Sequence, residues 1–175
     1  IVKGATYIYD HEFDLAEEVL QTLDPGIPDV MYQKAQLQYT KYLDLPKAEQ
    51  IWREWMRMDD NGKQSPQKLR EDYIHIISSL AELRDEDEIE DKALKGESSK
   101  AVQKWIQEYI DKFSPLGKFE EDAQLADICK DNNLPKLLCD VLTQVLEEQP
   151  YLPQGWTNLA IAHHVLKHYE QALEA

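Results

Sequence analysis

Apolar residues recur every three or four positions through most of the chain, which is the spacing of one face of an α-helix. One such stripe comprises Tyr73, Ile76, Ile77, Leu80 and Leu83. Ser65 and Pro66 precede it, and this pair is typical of an N-cap followed by a proline in the first helical turn. The pattern therefore predicts a helix that begins at Pro66 and carries this stripe on one side.

A second stripe follows Gly96 and has the same helical spacing. Its members are Ala101, Val102, Trp105, Ile106, Tyr109 and Ile110. We expect Ser98 or Ser99 to cap this helix and the Ser-Pro-Leu-Gly sequence at 114–117 to end it. Between the two stripes, seven of the eight residues over 84–91 are charged. This run predicts a solvated loop or a frayed helix rather than a dedicated acidic docking tail.

Large and small residues also recur at an interval of about 34 residues. In the C-terminal segment the recurring positions are Trp156, Leu159, Ala160, His163 and Ala172. This arrangement resembles the tetratricopeptide repeat (TPR), in which each repeat is a pair of helices and small residues stand where the two helices approach. His163 departs from the usual Tyr of that pattern. In the earlier segments, Ala16, Ala48 and Ala126 occupy the small-residue positions of the same repeat pattern.

The resemblance implies an all-α fold, a right-handed α-solenoid built from antiparallel helix pairs. Residues 1–62 are expected to form two pairs, of which the first is truncated, and residues 118–175 two more, of which the last is truncated. Residues 63–117 are expected to form an irregular pair with an acidic connection over 84–98. The alternative is an irregular helical bundle in which the spacing is accidental.

The TPR register assigns packing roles to particular residues. Small residues at the helix contacts let two helices approach closely, so we expect Ala16, Ala48, Ala126 and Ala160 to be almost fully buried. The tryptophans are likewise expected in the interior rather than as platforms for stacked nucleic-acid bases. They are Trp52, Trp55, Trp105 and Trp156.

The same repeat register also predicts the structural positions of two histidines in the last repeat. His163 falls at a packing position between helices, and His168 falls in the turn between the two helices of the last pair.

Charge and composition narrow the classes of partner. The 175 residues include 34 Asp and Glu against 19 Lys and Arg, a net charge of −15, which opposes general binding to nucleic acid or to anionic membranes. No stretch approaches the roughly 20 apolar residues of a membrane span, so we expect no membrane insertion. The chain begins without Met and stops inside an apparent helix, and we expect it to be a fragment of a longer protein.

Catalytic and metal-binding motifs do not emerge from the sequence. The glycines are isolated, and no Gly-x-Ser-x-Gly sequence is present. His164 and His168 are four residues apart, but the Glu of the zinc-protease motif does not follow His164. Cys129 and Cys139 occupy apolar positions, which predicts buried free thiols and a reducing compartment, the cytoplasm or alternatively the nucleus. We therefore expect a protein that is not an enzyme and uses no cofactor and no metal.

The TPR resemblance implies a protein-interaction scaffold whose first helices line a concave face. The positions that line this face in TPR proteins correspond to Gln33, Leu37, Thr40 and Lys41, to Glu120, Ala123, Asp127 and Lys130, and to Gln154, Thr157, Ile161, His164 and Val165. These residues mix acidic, amide and small apolar groups, so the expected partner is a basic or neutral protein segment, bound within a multisubunit complex.

Binding of acidic chaperone tails is not expected, although some TPR domains clamp such tails. Asn158 matches the central Asn of such clamps, whereas Ala123 and Asp127 stand where Lys and Asn are required. One alternative function is a rigid auxiliary subunit of a larger complex, for example of an enzyme. A further alternative is an RNA-processing scaffold of the half-a-TPR type, because residues 48–55 resemble the second helix of that repeat.

Overall fold

The computed structural model describes residues 1–58, 65–83 and 92–174. Within these ranges the chain forms nine α-helices and no β-strand, which confirms the all-α prediction. The helices are α1 (Val2–Tyr9), α2 (Phe13–Gln21), α3 (Pro28–Thr40), α4 (Leu45–Arg57), α5 (Pro66–Glu82), α6 (Lys92–Phe113), α7 (Glu120–Asp131), α8 (Pro135–Glu148) and α9 (Pro153–Glu174). None of these described helices is long and apolar enough to cross a membrane.

Local sequence signals explain where several helices begin. The Ser65 hydroxyl accepts a hydrogen bond from the Lys68 backbone N–H at 3.1 Å, and Pro66 starts α5, which confirms the predicted cap. Asp44 caps α4 in the same way through the backbone N–H of Lys47. Both side chains satisfy a backbone donor that the first turn of a helix leaves without an intrahelical acceptor.

The contacts divide the chain into two compact units, residues 1–99 and 100–175. In the first unit α3 is the central helix, because it packs against α1, α2 and α4. Its buried side chains therefore lie on most sides of the helix and include Val30, Ala35, Leu37 and Tyr39. A helix that is buried on several sides cannot present a wide face to solvent.

Polar contacts fix α3 against α5 in the same unit. The Tyr39 hydroxyl donates to the Leu80 carbonyl at 2.7 Å, and the Tyr32 hydroxyl donates to the His75 carbonyl at 2.8 Å. The Gln36 amide donates to the Ser79 hydroxyl at 3.1 Å. Burial raises the pKa of the Tyr32 phenol above its ordinary value, so it stays protonated and available as a donor.

Small residues of unit 1 are buried where the repeat register expects helix contacts. Ala16 and Ala48 are both 0% exposed, which confirms their expected burial. A Cβ at Gly4 of α1 would lie 2.6 Å from Gln33 Oε1 of α3 and 3.2 Å from a Leu20 methyl. Glycine therefore lets α1 approach its neighbours more closely than any larger residue would.

The second unit buries the stripe that the sequence predicts on α6. Trp105, Ile106 and Tyr109 are fully buried, and Leu125 of α7 and Val141 of α8 are buried as well. Ala126 is also buried, in agreement with its predicted position at a helix contact. The unit thus has an apolar interior to which α6, α7 and α8 all contribute.

The predicted start of α6 is wrong. The helix begins at Lys92, so Gly96, Ser98 and Ser99 lie inside it instead of before it. Gly96 has open space where a side chain would stand, and its cost of roughly 1 kcal/mol in a helix interior is small enough for the surrounding helix to tolerate. Ser98 is buried and does not cap a helix end.

The connection between α6 and α7 is held by hydrogen bonds and by one glycine. Asp122 accepts bonds from the Tyr109 hydroxyl at 2.7 Å and from the Gly117 backbone N–H at 2.8 Å. Gly117 has a φ of +118°, and a Cβ there would lie 3.0 Å from the Val145 Cα of α8. Both facts require glycine at this position. The predicted helix end at 114–117 is confirmed, because α6 ends at Phe113.

The predicted turn at His168 is also wrong, because α9 continues without a break from Pro153 to Glu174. In this helix Ala160 is exposed, contrary to the prediction, and Ala162 is the buried alanine. Two positions along a helix turn the side chain by roughly 200°. The face that carries Ala162 therefore points inward, and the face that carries Ala160 points to solvent.

The remaining predictions concern the aromatic residues and the connecting segments. Trp52 and Trp105 are buried as predicted, whereas Trp156 is 50% exposed. His163 is exposed, although its Nδ1 lies 3.8 Å from the Cys139 sulfur of α8. The predicted boundary at 62 and the charged run 84–91 lie outside the described residues, and residues 92–98 of the predicted acidic connection belong to α6.

The two alanines of α7 provide a matched test of this packing. Ala126→Leu is expected to lower the free energy of unfolding by roughly 1–3 kcal/mol, because the extra methylenes overfill a close helix contact. Ala123→Leu, at an exposed position of the same helix, is expected to change it by less than about 0.5 kcal/mol. Urea unfolding measures both, and equal effects of the two changes would contradict the assigned helix contact.

Candidate interaction surface on helices α7 and α9

The predicted binding residues of α3 do not form an open surface. Gln33 is 5% exposed and Leu37 is 3% exposed, so both lie in the interior of unit 1. Thr40 is buried too, and its hydroxyl donates to the Gln36 carbonyl at 2.8 Å. The prediction that these residues of α3 line an open groove is therefore wrong, because neighbouring helices cover this part of the helix.

Lys41, which follows α3 directly, is held by acidic residues of α2. Its ammonium group lies 2.9 Å from the Asp14 carboxylate and also donates to Glu17, which accepts a further bond from the Tyr42 hydroxyl. The hydrogen bonds from Lys41 and Tyr42 lower the pKa of Glu17, and those to Glu17 and Asp14 raise the pKa of Lys41. This cluster ties the end of α3 to α2.

Only part of the predicted set in unit 2 lies around one pocket. Asn158 and Ile161 of α9 line an open pocket of about 100 Å³ with Lys130 of α7. The other lining residues are Cys129, Asn133, Leu134, Pro135, Leu138, Ala162 and Val165. We call this site the α7–α9 pocket. Four positions that the TPR resemblance assigns to its binding face, Lys130, Asn158, Ile161 and Val165, therefore surround one depression.

Buried apolar groups contribute to the wall of the α7–α9 pocket. Leu138, Ala162 and Cys129 are all buried. Burial, with a smaller contribution from Asp140, raises the pKa of the Cys129 thiol to about 12. The thiol is therefore protonated at neutral pH and behaves as a small apolar group. Cys129 and Cys139 are both free and buried, which confirms that prediction.

Polar and charged groups lie around this apolar wall. Lys130 and Asp127 are exposed and stand three residues apart on α7. Glu120 is also exposed, but it lies at the start of the same helix, ten residues or about 15 Å from Lys130. On α9 the Asn158 Oδ1 accepts a bond from the Gln154 amide at 3.1 Å, and the Thr157 hydroxyl donates to the Pro153 carbonyl at 3.1 Å. The surface can therefore offer both apolar contact and hydrogen bonds to a chain lying across it.

Large apolar side chains extend the exposed surface of α9 and of the turn before it. Ile161 is 56% exposed at the pocket, while Trp156, Leu152 and Tyr151 are exposed near the start of the helix. The Trp156 indole N–H donates to the Pro150 carbonyl at 2.9 Å, which fixes the ring against the turn. Sequence reasoning missed this exposed ring, because it treated 156–168 as a short helix with a covered face.

Two of the three histidines of α9 lie on an exposed side of the helix. His164 and His168 are exposed, and their Nε2 atoms are 2.9 Å apart. His163 lies with its Nδ1 3.8 Å from the Cys139 sulfur. In the part of the chain that the structure describes, no group of three or more His, Cys, Asp or Glu side chains is arranged to hold a metal.

Comparison of the chain with protein-family models, with curated proteins and with solved structures gives no match. The candidate surface is therefore assigned from its own geometry.

The Lys41 cluster predicts a specific pH dependence of stability. Because the pKa of Glu17 is lowered in the folded state, its contribution to stability is present at neutral pH and is lost as the pH falls through that lowered value. We expect Glu17→Gln to lower Tm by about one to three degrees near pH 7, and to have a progressively smaller effect as the pH is lowered toward 2.5, because protonation of Glu17 removes its charged contact with Lys41. Thermal unfolding followed by circular dichroism measures this difference.

The control is Glu18→Gln, at an exposed position of the same helix. It is expected to leave Tm unchanged at both pH values. A Glu17→Gln effect that does not shrink between pH 7 and pH 2.5 would mean that the lost stability comes from packing and not from the ionised carboxylate.

Proposed function

We propose that this chain is a non-catalytic protein-interaction scaffold of the TPR-like class, which binds a basic or neutral protein segment on α7 and α9. The observation that carries this proposal is the α7–α9 pocket. It joins side chains from two helices that the repeat register treats as the first helices of successive pairs. The proposed architecture is a solenoid of antiparallel helix pairs.

The shape and chemistry of the pocket support a protein segment as the ligand. A volume of about 100 Å³ is below that of ordinary small-molecule sites, but it accommodates one or two apolar side chains of a longer ligand. Ile161 and Val165 lie one helical turn apart and offer apolar contact along the helix. An amphipathic segment laid along α9 would cover both residues while its polar side reaches Asn158.

The charge of the chain favours a basic or neutral partner. The net charge is −15, and Asp127 is exposed on α7 three residues from the pocket residue Lys130. Such a field attracts cationic segments and repels acidic ones, and it acts mainly on the rate of association. This is the physical reason to favour a basic segment over the acidic tails that some TPR domains bind.

A second candidate function is a rigid auxiliary subunit of a larger assembly. The exposed Trp156 and Tyr151 favour it, because large aromatic side chains are enriched at the centres of protein interfaces and both lie outside the pocket. In this case the partner would cover the turn before α9 and leave Ile161 free.

Quantitative affinity purification distinguishes the two surfaces. We expect the direct partner to be lost from Ile161→Asp and retained by Trp156→Gln, because only the first change places a charge in the pocket. The reverse pattern would support the auxiliary-subunit function. Circular dichroism of both variants checks that α9 remains folded.

The electrostatic part of the proposal predicts a salt-dependent effect. With the partner so identified, Asp127→Lys is expected to weaken binding roughly two- to tenfold at low salt and less at high salt, because it reverses a charge on the binding face. Glu18→Lys makes the same charge reversal on α2 of unit 1 and is the matched control. Equal affinities of both variants would place the binding surface elsewhere.

A further inference from the structure

Two imidazoles of α9 are placed at the spacing of a metal chelate. His164 and His168 are exposed, their ring centroids are 4.4 Å apart, and their Nε2 atoms are 2.9 Å apart. In the metal-free chain one Nε2–H donates to the other Nε2, which requires different tautomers of the two rings. The short separation follows from the helix, which places residues four apart on one face.

We propose that His164 and His168 form a binding site for a divalent transition-metal ion through their two Nε2 atoms. Metal–imidazole bonds are about 2.0–2.1 Å long, so two nitrogens bound at a right angle are about 2.9 Å apart, and at a tetrahedral angle about 3.4 Å. The observed 2.9 Å falls at the first of these values. The two rings therefore need no backbone movement to hold one ion.

The side chains are also free to reach the binding orientation. Each Nε2 now points toward the other, so both rings have to turn until their lone pairs converge on a common point beside them. Because both imidazoles are exposed, such rotations meet little packing resistance and occur on a picosecond to nanosecond timescale. The helix supplies the fixed spacing, and the rotamers supply the final geometry.

The donor set defines the class of ion. Imidazole nitrogen suits Ni²⁺, Cu²⁺ and Zn²⁺, whereas Mg²⁺ and Ca²⁺ prefer oxygen ligands. The two histidines would provide two of the ligands, and water or a side chain of a bound partner would fill the other positions. This inference departs from the sequence expectation of no metal, which considered the spacing of His164 and His168 and set it aside because the Glu of the zinc-protease motif does not follow His164.

Titration calorimetry of the 175-residue chain with NiCl₂ and with ZnSO₄ tests the site. The wild-type chain is expected to bind one ion of each metal, and His164→Ala or His168→Ala to weaken that binding at least tenfold. His163→Ala is expected to bind as the wild type does, because it leaves the proposed pair intact.

A relocated histidine tests the spacing itself. The double variant His168→Ala/Glu170→His keeps five histidines but sets the second ring six positions from His164, roughly 240° around the helix. It is expected to bind at least tenfold more weakly than the wild type. Circular dichroism checks that each variant keeps its helix content. Wild-type affinity in this variant or in either single Ala variant, or no wild-type binding at millimolar NiCl₂ and ZnSO₄, would overturn the proposal.

Discussion

Close contact between helices at small residues is the constraint on which this structure depends. An amphipathic helix is stable only when its apolar side is covered, and two helices approach closely only where their side chains are small. Ala16 and Ala48 are fully buried in the first unit, and Ala126 is buried in the second, at the positions where the repeat register expects such contacts. Gly4 illustrates the close approach of α1 to its neighbours, since a Cβ at this position would require the Gln33 and Leu20 side chains to shift. The larger side chains then fill the remaining space around these contacts.

Where local signals agreed with helix packing, the sequence predicted the structure. The Ser65 cap and the stripe around Ile76 and Ile77 describe α5 correctly, because a cap and an apolar face both depend on nearby residues. The predicted starts and turns failed at Gly96 and His168, where a helix continues through a residue that was expected to interrupt it. Propensity differences of roughly 1 kcal/mol do not decide the ends of helices of this length.

The candidate site was predictable only in part. The binding positions predicted on α3 are buried and some of those predicted on α9 are at the surface, because different elements cover the two helices. Both α3 and α9 were assigned binding positions from the same repeat pattern. In α3, Gln33 and Leu37 are buried by neighbouring helices, which no spacing within α3 itself reveals. In α9, Asn158 and Ile161 remain at the surface and meet Lys130 of α7 in one pocket. The unbroken α9 also determines which residues face solvent, and it exposes Ala160.

The orientation of α9 about its axis is the central claim, because the α7–α9 pocket exists only with Ala162 inward and Ala160 outward. Nuclear Overhauser effects from the methyl groups of these two alanines measure that orientation directly. The account predicts effects from the buried Ala162 to residues that line the pocket with it, such as Leu138 of α8, and much weaker effects from the exposed Ala160 to α8. Effects from Ala160 to α8, with none from Ala162, would contradict the account and restore the helix orientation that the repeat spacing predicted.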